Sequence, residues 1–114
     1  MIALGSATRV FLSIDPVDLR KSFSGLQGLV QGQLRQDPLS GHVFVFTNRD
    51  RNRLKLLYWD GSGLWVATKR LESGRFRWPT HDQLRPEEFQ ALVNGLQGVR
   101  QETWYRRQEG RSKK

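Results

Sequence analysis

The chain of 114 residues has no cysteine, only two histidines and no long hydrophobic run. Without cysteine there is no disulfide and no thiolate metal ligand, which fits a reducing compartment. His42 and His81 are far apart in the sequence and have no ligand cluster around them, so we expect no metal and no cofactor. No apolar run approaches the roughly 18–20 residues of a membrane span, and residues 1–9 lack the pattern of a secretion signal. We therefore expect a location in the cytoplasm or at the nucleoid.

Positive charge is what the chain has in excess. Nineteen Lys and Arg stand against eleven Asp and Glu, which gives a formal net charge of +8 at pH 7. Folding does not need this charge, because self-repulsion opposes the compact state, whereas a polyanionic partner would explain it. Half of the excess lies in residues 100–114, which hold six basic and two acidic residues. We predict one domain over residues 1–98, followed by a flexible basic tail over residues 99–114.

Hydrophobic patterning predicts an α+β domain with a mostly antiparallel sheet, in the order β-α-β-β-β-(β)-α. The predicted strands cover residues 9–14, 42–47, 53–59 and 64–70, with a short final strand at 75–78. The polar loop 48–52 and a tight turn at 60–63 join the middle three strands into an antiparallel meander. We expect the first helix on one face of this sheet, and a second helix over residues 86–94.

The first helix is predicted over residues 16–34, with Asp15 as its N-cap and Pro16 at its first position. Helical spacing places five apolar residues on one face. They are Leu19, Phe23, Leu26, Val30 and Leu34. Arg20 and Lys21 would then lie in the first turns, where the helix dipole disfavours cations, and Asp18 could pair with either of them.

The same helix would carry three glycines on a stripe with Lys21, opposite the apolar face. Each glycine costs about 0.5–1 kcal/mol relative to alanine in a helix interior, and glycine lets a second backbone approach closely. We hypothesise that this surface contacts another protein, a second copy of the chain or a phosphate backbone. Its residues are Arg20, Lys21, Gly25, Gly28 and Gly32. The alternative is a weak helix that its core contacts hold in place.

Cations and aromatic rings alternate along the predicted meander. Strand alternation places Arg53, Lys55 and Trp59 on one face, and in the next strand Trp65 shares a face with Lys69. Rings and cations together suit base stacking and phosphate contacts, although the rings could equally pack in the core. The predicted nucleic-acid contacts are Arg49, Arg51, Arg53, Lys55, Lys69, Arg70, Arg75, Arg77, Arg106 and Arg107.

An enzymatic site is the sharper alternative. Metal-dependent nucleases gather carboxylates around their ions, and six acidic residues are candidates for this role. They are Asp15, Asp18, Asp37, Asp50, Asp60 and Glu72. Four of them equally suit helix caps or turns, and Asp50 lies among arginines whose repulsion it would soften. The sequence contains no nucleophile-elbow motif and no P-loop, so other common catalytic designs are not indicated.

Four ordered blocks of the sequence resemble one protein family. They are D-x-R-K-S-F-x-G-L at 18–26, D-P-x-S-G-H-x-F-V-F at 37–46, L-K-x-L-x-W-D-G-x-G-L at 54–64 and K-R-L-E-x-G-R-F-x-W-P at 69–79. The chain resembles the accessory TnpB proteins of bacterial insertion sequences of the IS sixty-six family over about residues 1–97. One departure is Arg85, which stands where the second helix of the family usually has a Ser or Thr cap.

The resemblance implies a non-catalytic accessory protein for transposition, encoded beside a separate transposase. It supplies no catalytic residues. We expect binding to DNA rather than RNA, or to the transposase–DNA complex, and a homodimer is a further expectation. Two alternatives stay open: a protein–protein adaptor for the transposase that does not bind DNA, and a small metal-dependent nuclease.

Overall fold

The computed structural model describes residues 5–95. These residues form one five-stranded sheet and two helices, so the predicted α+β class is confirmed. The strands are β1 (Val10–Leu12), β2 (Val43–Thr47), β3 (Arg53–Trp59), β4 (Leu64–Arg70) and β5 (Gln83–Leu84), and the helices are α1 (Phe23–Gly32) and α2 (Pro86–Val93). The strand order across the sheet is β4-β3-β2-β1-β5.

The antiparallel meander is formed by β2, β3 and β4, as the sequence predicts. Val45 pairs with Leu56, and Leu56 in turn pairs with Ala67. Both β3 and β4 have the predicted bounds. Each strand is rich in β-branched, aromatic or leucine residues and lies between polar turns, which favours this structure.

The N-terminal strand β1 lies between β2 and β5. It runs parallel to β2, with Val10 opposite Val43, and antiparallel to β5, with Val10 opposite Leu84. Parallel neighbours need a long crossover, and the segment with α1 supplies it. The expectation of a mostly antiparallel sheet therefore holds, with one parallel pair near the far edge.

The predicted start of the first helix at Pro16 is wrong, and so is its predicted end at Leu34. Helix α1 begins after Ser22 and ends at Gly32. Asp15 is therefore no helix cap, and Arg20 and Lys21 precede the helix. The Val17 N–H donates to the Thr47 carbonyl over 2.9 Å, so this segment satisfies its backbone against the end of β2 instead of in a helical turn.

The first and the final predicted strands also differ from the structure. The first covers Val10–Leu12 instead of residues 9–14. Residues 75–78 form no strand, although Phe76 and Trp78 point inward and Arg77 is exposed between them. The final strand is β5, only two residues long. The second helix has the predicted start, and the Glu88 carboxylate accepts the Arg85 N–H over 2.8 Å, which caps the helix without a Ser or Thr.

Hydrophobic side chains cover both faces of the sheet. On one face, the core cluster joins the sheet to α2 and the 76–78 segment and includes Leu12, Val45, Phe76, Trp78 and Phe89. On the other face, Leu26 and Val30 of α1 pack on Phe44, Phe46 and Leu57. Of the predicted apolar helix face, Leu26 and Val30 are buried and Leu19 and Leu34 pack at the margin of the cluster, whereas Phe23 is exposed. The burial of both faces leaves the ends and edges of the sheet as its accessible parts.

Candidate nucleic-acid interface

The loop that joins β2 to β3 is held in one shape by asparagine side chains. The Asn48 Oδ1 accepts the N–H groups of Asn52 and Arg53 over 3.2 and 3.1 Å, and its Nδ2 donates to the Asn52 Oδ1 over 2.8 Å. Arg51 has a left-handed φ of 58°. Sequence reasoning did not single out Asn48, although asparagine commonly bonds to the backbone of turns. The loop arginines therefore project from an ordered frame.

The same loop is tied to the segment that follows β4. The Leu71 N–H donates to the Asn52 carbonyl over 2.8 Å, and the Phe76 N–H donates to the Arg51 carbonyl over 2.6 Å. Since Phe76 is buried, it anchors Arg75 beside the loop. Cations from three parts of the chain thus meet at one end of the sheet. We call this set the basic rim: Arg49, Arg51, Arg53, Lys55, Arg70 and Arg75.

Two arginines of the basic rim stand directly opposite each other. Arg53 of β3 pairs with Arg70 of β4, and the neighbouring Asn52–Leu71 pair carries the backbone hydrogen bond. Arg53 and Arg70 are therefore a non-hydrogen-bonded pair, in which side chains lie closer together. Like charges directly opposite destabilise a sheet. The Glu72 carboxylate approaches Arg70 only to 3.7 Å and is exposed, so it offsets little of this repulsion.

Lys55 extends the basic rim toward α1. It lies on the same face of β3 as Arg53, and its Nζ donates to the Lys21 carbonyl over 2.9 Å. This contact brings the segment before α1 next to the sheet face that carries the cations. The predicted partner residue Lys21 and the predicted nucleic-acid contact Lys55 are thus neighbours in the fold.

An open cleft of about 580 Å³ separates the segment 16–20 from the β2–β3 loop. Arg20 and Asp18 line one side, and Arg49 and Arg53 line the other. The Arg20 Nη2 lies 2.8 Å from Asp18 Oδ2, and the hydrogen bonds from Arg20 hold the pKa of the Asp18 carboxyl well below its usual range. The same pairing raises the pKa of Arg20. Both groups stay charged near neutral pH, so Asp18 partly neutralises Arg20. Among residues 5–95, Arg49 and Arg53 form no ion pair within 4 Å, although Asp50 lines the same side of the cleft.

The remaining predicted nucleic-acid contacts lie elsewhere. Lys69 is on the opposite face of β4, where its Nζ donates to the Val93 carbonyl over 2.7 Å at the end of α2. Arg77 is exposed beyond the buried Phe76. Arg106 and Arg107, together with the predicted tail, lie outside the described residues.

The tryptophans have different environments. Trp78 is 7% exposed, and its Nε1 donates to the Ser13 carbonyl over 2.8 Å, which places this ring in the core. Trp65 is 58% exposed, and its Nε1 donates to the Asp60 Oδ2 over 2.7 Å. Trp59 is half-buried on the face that carries Arg53 and Lys55. Only Trp59 among these three rings shares the face of the basic rim.

Comparison with known proteins assigns the family. A family model described as "IS66 Orf2 like protein" matches residues 8–103. The chain belongs to the IS66 Orf2-like family. It is similar to two Sinorhizobium fredii (strain NBRC 101917 / NGR234) proteins, "Uncharacterized protein y4jC" at 41% identity over 88% of this chain and 89% of that protein, and "Uncharacterized protein y4hO" at 36% over 91% and 95%. No solved structure matches the chain.

Membership of the IS66 Orf2-like family supports an accessory role in the transposition of an insertion sequence. The resembling blocks contribute Asp18 and Arg20 to the cleft, Lys21 to the contact with Lys55, and Arg70 and Arg75 to the basic rim. Separate blocks of the sequence thus converge at one end of the sheet.

Two of the three glycines of α1 are not required by packing within the described part of the chain. A Cβ at Gly28 or Gly32 would meet no atom within 4 Å, and both residues are exposed. Gly25 differs, because a Cβ there would lie 2.9 Å from the Cβ of Lys21. A close approach therefore explains Gly25, whereas nothing in the described structure explains Gly28 and Gly32.

The nuclease alternative would need the six candidate acidic residues of this chain to gather at one point. Residues 5–95 hold no group of three or more His, Asp or Glu side chains that could bind a metal ion. Asp37 accepts the Leu39 N–H and Asp60 accepts the Ser62 and Gly63 N–H groups, as turn residues do. The hydrogen bonds that Asp60 accepts from the Ser62 and Gly63 N–H groups and from the Trp65 indole lower the pKa of its carboxyl to about 2. Within the described residues, no helix has the length and apolar character to cross a membrane.

Proposed function

We propose that this IS66 Orf2-like protein is a non-catalytic accessory factor that binds the DNA of its insertion sequence through the basic rim. The observation that carries the proposal is the ordered convergence of rim cations at one end of the sheet. The Arg53–Arg70 pair is the sharpest part of it, because the fold gains nothing from two arginines in direct opposition. A phosphate placed between them would convert their repulsion into two charge-assisted contacts.

The geometry favours contact with the phosphate backbone over reading of bases. Hydrogen bonds with Phe76 and Asn48 fix the backbone of Arg51 and Arg53. The other rim arginines are exposed like Arg53, and these exposed side chains can reach separate phosphates. Phosphate contacts position a protein on DNA and give affinity that falls steeply with salt. Trp78 is buried, Trp65 lies on the opposite face, and only the half-buried Trp59 shares the face of the basic rim, so stacking contributes less than charge.

Fluorescence anisotropy tests this proposal with a duplex from an element end and a scrambled duplex, each at low and moderate salt. We expect binding that weakens with salt, and tighter binding to the element end if the protein recognises that sequence. The double variant Arg53→Gln/Arg70→Gln should weaken binding and reduce the slope of log affinity against log salt by about 0.9 for each phosphate that the variant no longer neutralises.

The matched control is Arg9→Gln/Arg35→Gln, which removes the same charge away from the rim. Arg9 precedes the start of β1, at the opposite end of the sheet, and Arg35 lies in the connection that leads to the start of β2. Equal losses in the two double variants, or binding that does not respond to ionic strength, would contradict the proposed site. Cleavage of either duplex with magnesium or manganese would contradict the non-catalytic assignment.

A protein–protein adaptor is the second candidate, and exposed glycines of α1 favour it. Gly28 and Gly32 leave the helix surface flat where the described fold would accept a side chain. If the transposase docks there, a pull-down of the transposase should survive nuclease treatment, and Gly28→Gln should weaken it without changing the affinity for DNA. If nuclease treatment abolishes the pull-down of the transposase, DNA is the only link between the two proteins.

A further inference from the structure

The two edges of the sheet differ in how they are protected. Edge strand β5 has two residues, and such short edges resist pairing with other chains. Edge strand β4 has seven residues in an unbroken ladder with β3, without proline or bulge. Within residues 5–95, no strand pairs with its outer side. An edge of this length is a template for a further strand.

The outward-facing backbone groups of β4 follow from the ladder. The Leu71 N–H bonds to the Asn52 carbonyl, and at the other end the Asp60 N–H bonds to the Gly63 carbonyl. Hydrogen-bonded and non-hydrogen-bonded pairs alternate between these two points. The residues that direct their N–H and C=O groups away from β3 are therefore Leu64, Val66, Thr68 and Arg70.

We propose that a second copy of this chain pairs with β4 through its own β4, antiparallel and with Ala67 on the two-fold axis. This register pairs all seven residues of both strands. It places Val66 opposite Thr68 and Leu64 opposite Arg70, and these are the residues whose backbone groups face outward. Each of these pairs can exchange two backbone hydrogen bonds, so the register satisfies the free edge of both copies.

The charges of β4 support this occupant. Lys69 and Arg70 lie together at one end of the strand, so two parallel copies in register would bring cations against cations. The antiparallel register instead places Lys69 opposite Trp65 and Arg70 opposite Leu64. Trp65 is held in place by Asp60, and its exposed ring can cover the aliphatic stem of the partner copy's lysine. Ala67 is small and exposed, so two copies meet without a clash on the axis.

The inference does not depend on DNA binding, and its test uses no nucleic acid. Sedimentation equilibrium of the full chain should be run in moderate salt, which screens the repulsion between two chains of charge +8. We expect a mass of twice 13.3 kDa that dissociates on dilution. Ala67→Lys should raise the dissociation constant by about tenfold or more, because two ammonium groups would face each other across the axis. Thr80→Lys adds the same charge at another exposed position and should leave the dimer unchanged.

A second variant tests the backbone pairing itself. Thr68→Pro removes an outward N–H and leaves the inward ladder with β3 complete, so the monomer should fold while the dimer is lost. Hydrogen exchange should show protection of the Val66 and Thr68 amides in the wild type and its loss in Ala67→Lys. A monomeric wild type, a dimer that resists Ala67→Lys, or a dimer with unprotected Val66 and Thr68 amides would each overturn the inference. Protected amides in a monomer would also overturn it, because another segment of the same chain would then be the occupant.

Discussion

Replacing Trp78 by phenylalanine gives the clearest test of how the tryptophans are used. The ring is 7% exposed, and its N–H is the donor to the Ser13 carbonyl across the end of β1. Phenylalanine keeps most of the apolar ring but leaves this acceptor unpaired beside a buried residue. An unsatisfied buried group costs about 1–3 kcal/mol, and the smaller ring adds a packing loss. We therefore expect Trp78→Phe to lower the free energy of unfolding by about 2–4 kcal/mol.

Trp65→Phe is the matched control, because it is the same change at a ring that is 58% exposed. Trp65→Phe removes a hydrogen bond to Asp60 that lies in contact with solvent. We therefore expect the free energy of unfolding to change by no more than about 0.5 kcal/mol. Urea unfolding followed by far-ultraviolet circular dichroism measures both variants without relying on tryptophan emission. The dependence of free energy on urea should keep its slope in both. If the two variants lose equal free energy of unfolding, or if Trp78→Phe loses less than about 1 kcal/mol, the assignment of the Trp78 ring to the core is refuted.

Two further predictions concern the loop and the turn. Asn48→Ala leaves the net charge unchanged but removes the side-chain hydrogen bonds that order the β2–β3 loop. We therefore expect the DNA affinity in the anisotropy assay to fall. Unchanged affinity would mean that the order of the loop is unimportant for binding. For Asp60, the folded-state pKa of about 2 lies below the ordinary 3.8, so its stabilisation is present above about pH 4 and is lost as the pH falls toward 2. The difference in urea stability between the wild type and Asp60→Asn should shrink over this range, and a difference independent of pH would contradict the role of the Asp60 carboxylate.

The meander was predictable because its signals are local. Arg53–Trp59 and Leu64–Arg70 have strand composition between polar turns, and neighbouring strands joined by short loops pair with each other. The predicted start of the first helix was wrong because it also rested on local signals alone. Asp15-Pro16 fits a helix N-terminus, but it also fits a turn, and the Thr47 carbonyl offered the Val17 N–H a tertiary partner that the sequence does not reveal.

The composition of the basic rim was predictable only in part. Alternation placed Arg53 and Lys55 on one face of their strand, but it did not show that Lys69 faces the opposite side of the sheet, because that depends on the pairing of Lys69 with Leu54. The approach of Arg75 to the loop depends on the Phe76 N–H bonding to the Arg51 carbonyl, a contact between residues far apart in the sequence. The opposition of Arg53 and Arg70 needs the β3–β4 register, which the turn length sets. The residue pattern within one strand reveals neither the hydrogen bond between Phe76 and Arg51 nor the register between β3 and β4.

The placement of β1 between β2 and β5 has a consequence for the order of folding during synthesis. The meander is made of near neighbours, so it can form as soon as residue 70 has left the ribosome. Val10 must find Val43 and later Leu84, so β1 acquires its second neighbour only when almost all of the described chain has emerged. A ribosome that stalls before residue 84 would therefore hold a nascent chain with an apolar strand open on one side, and such intermediates aggregate or recruit chaperones.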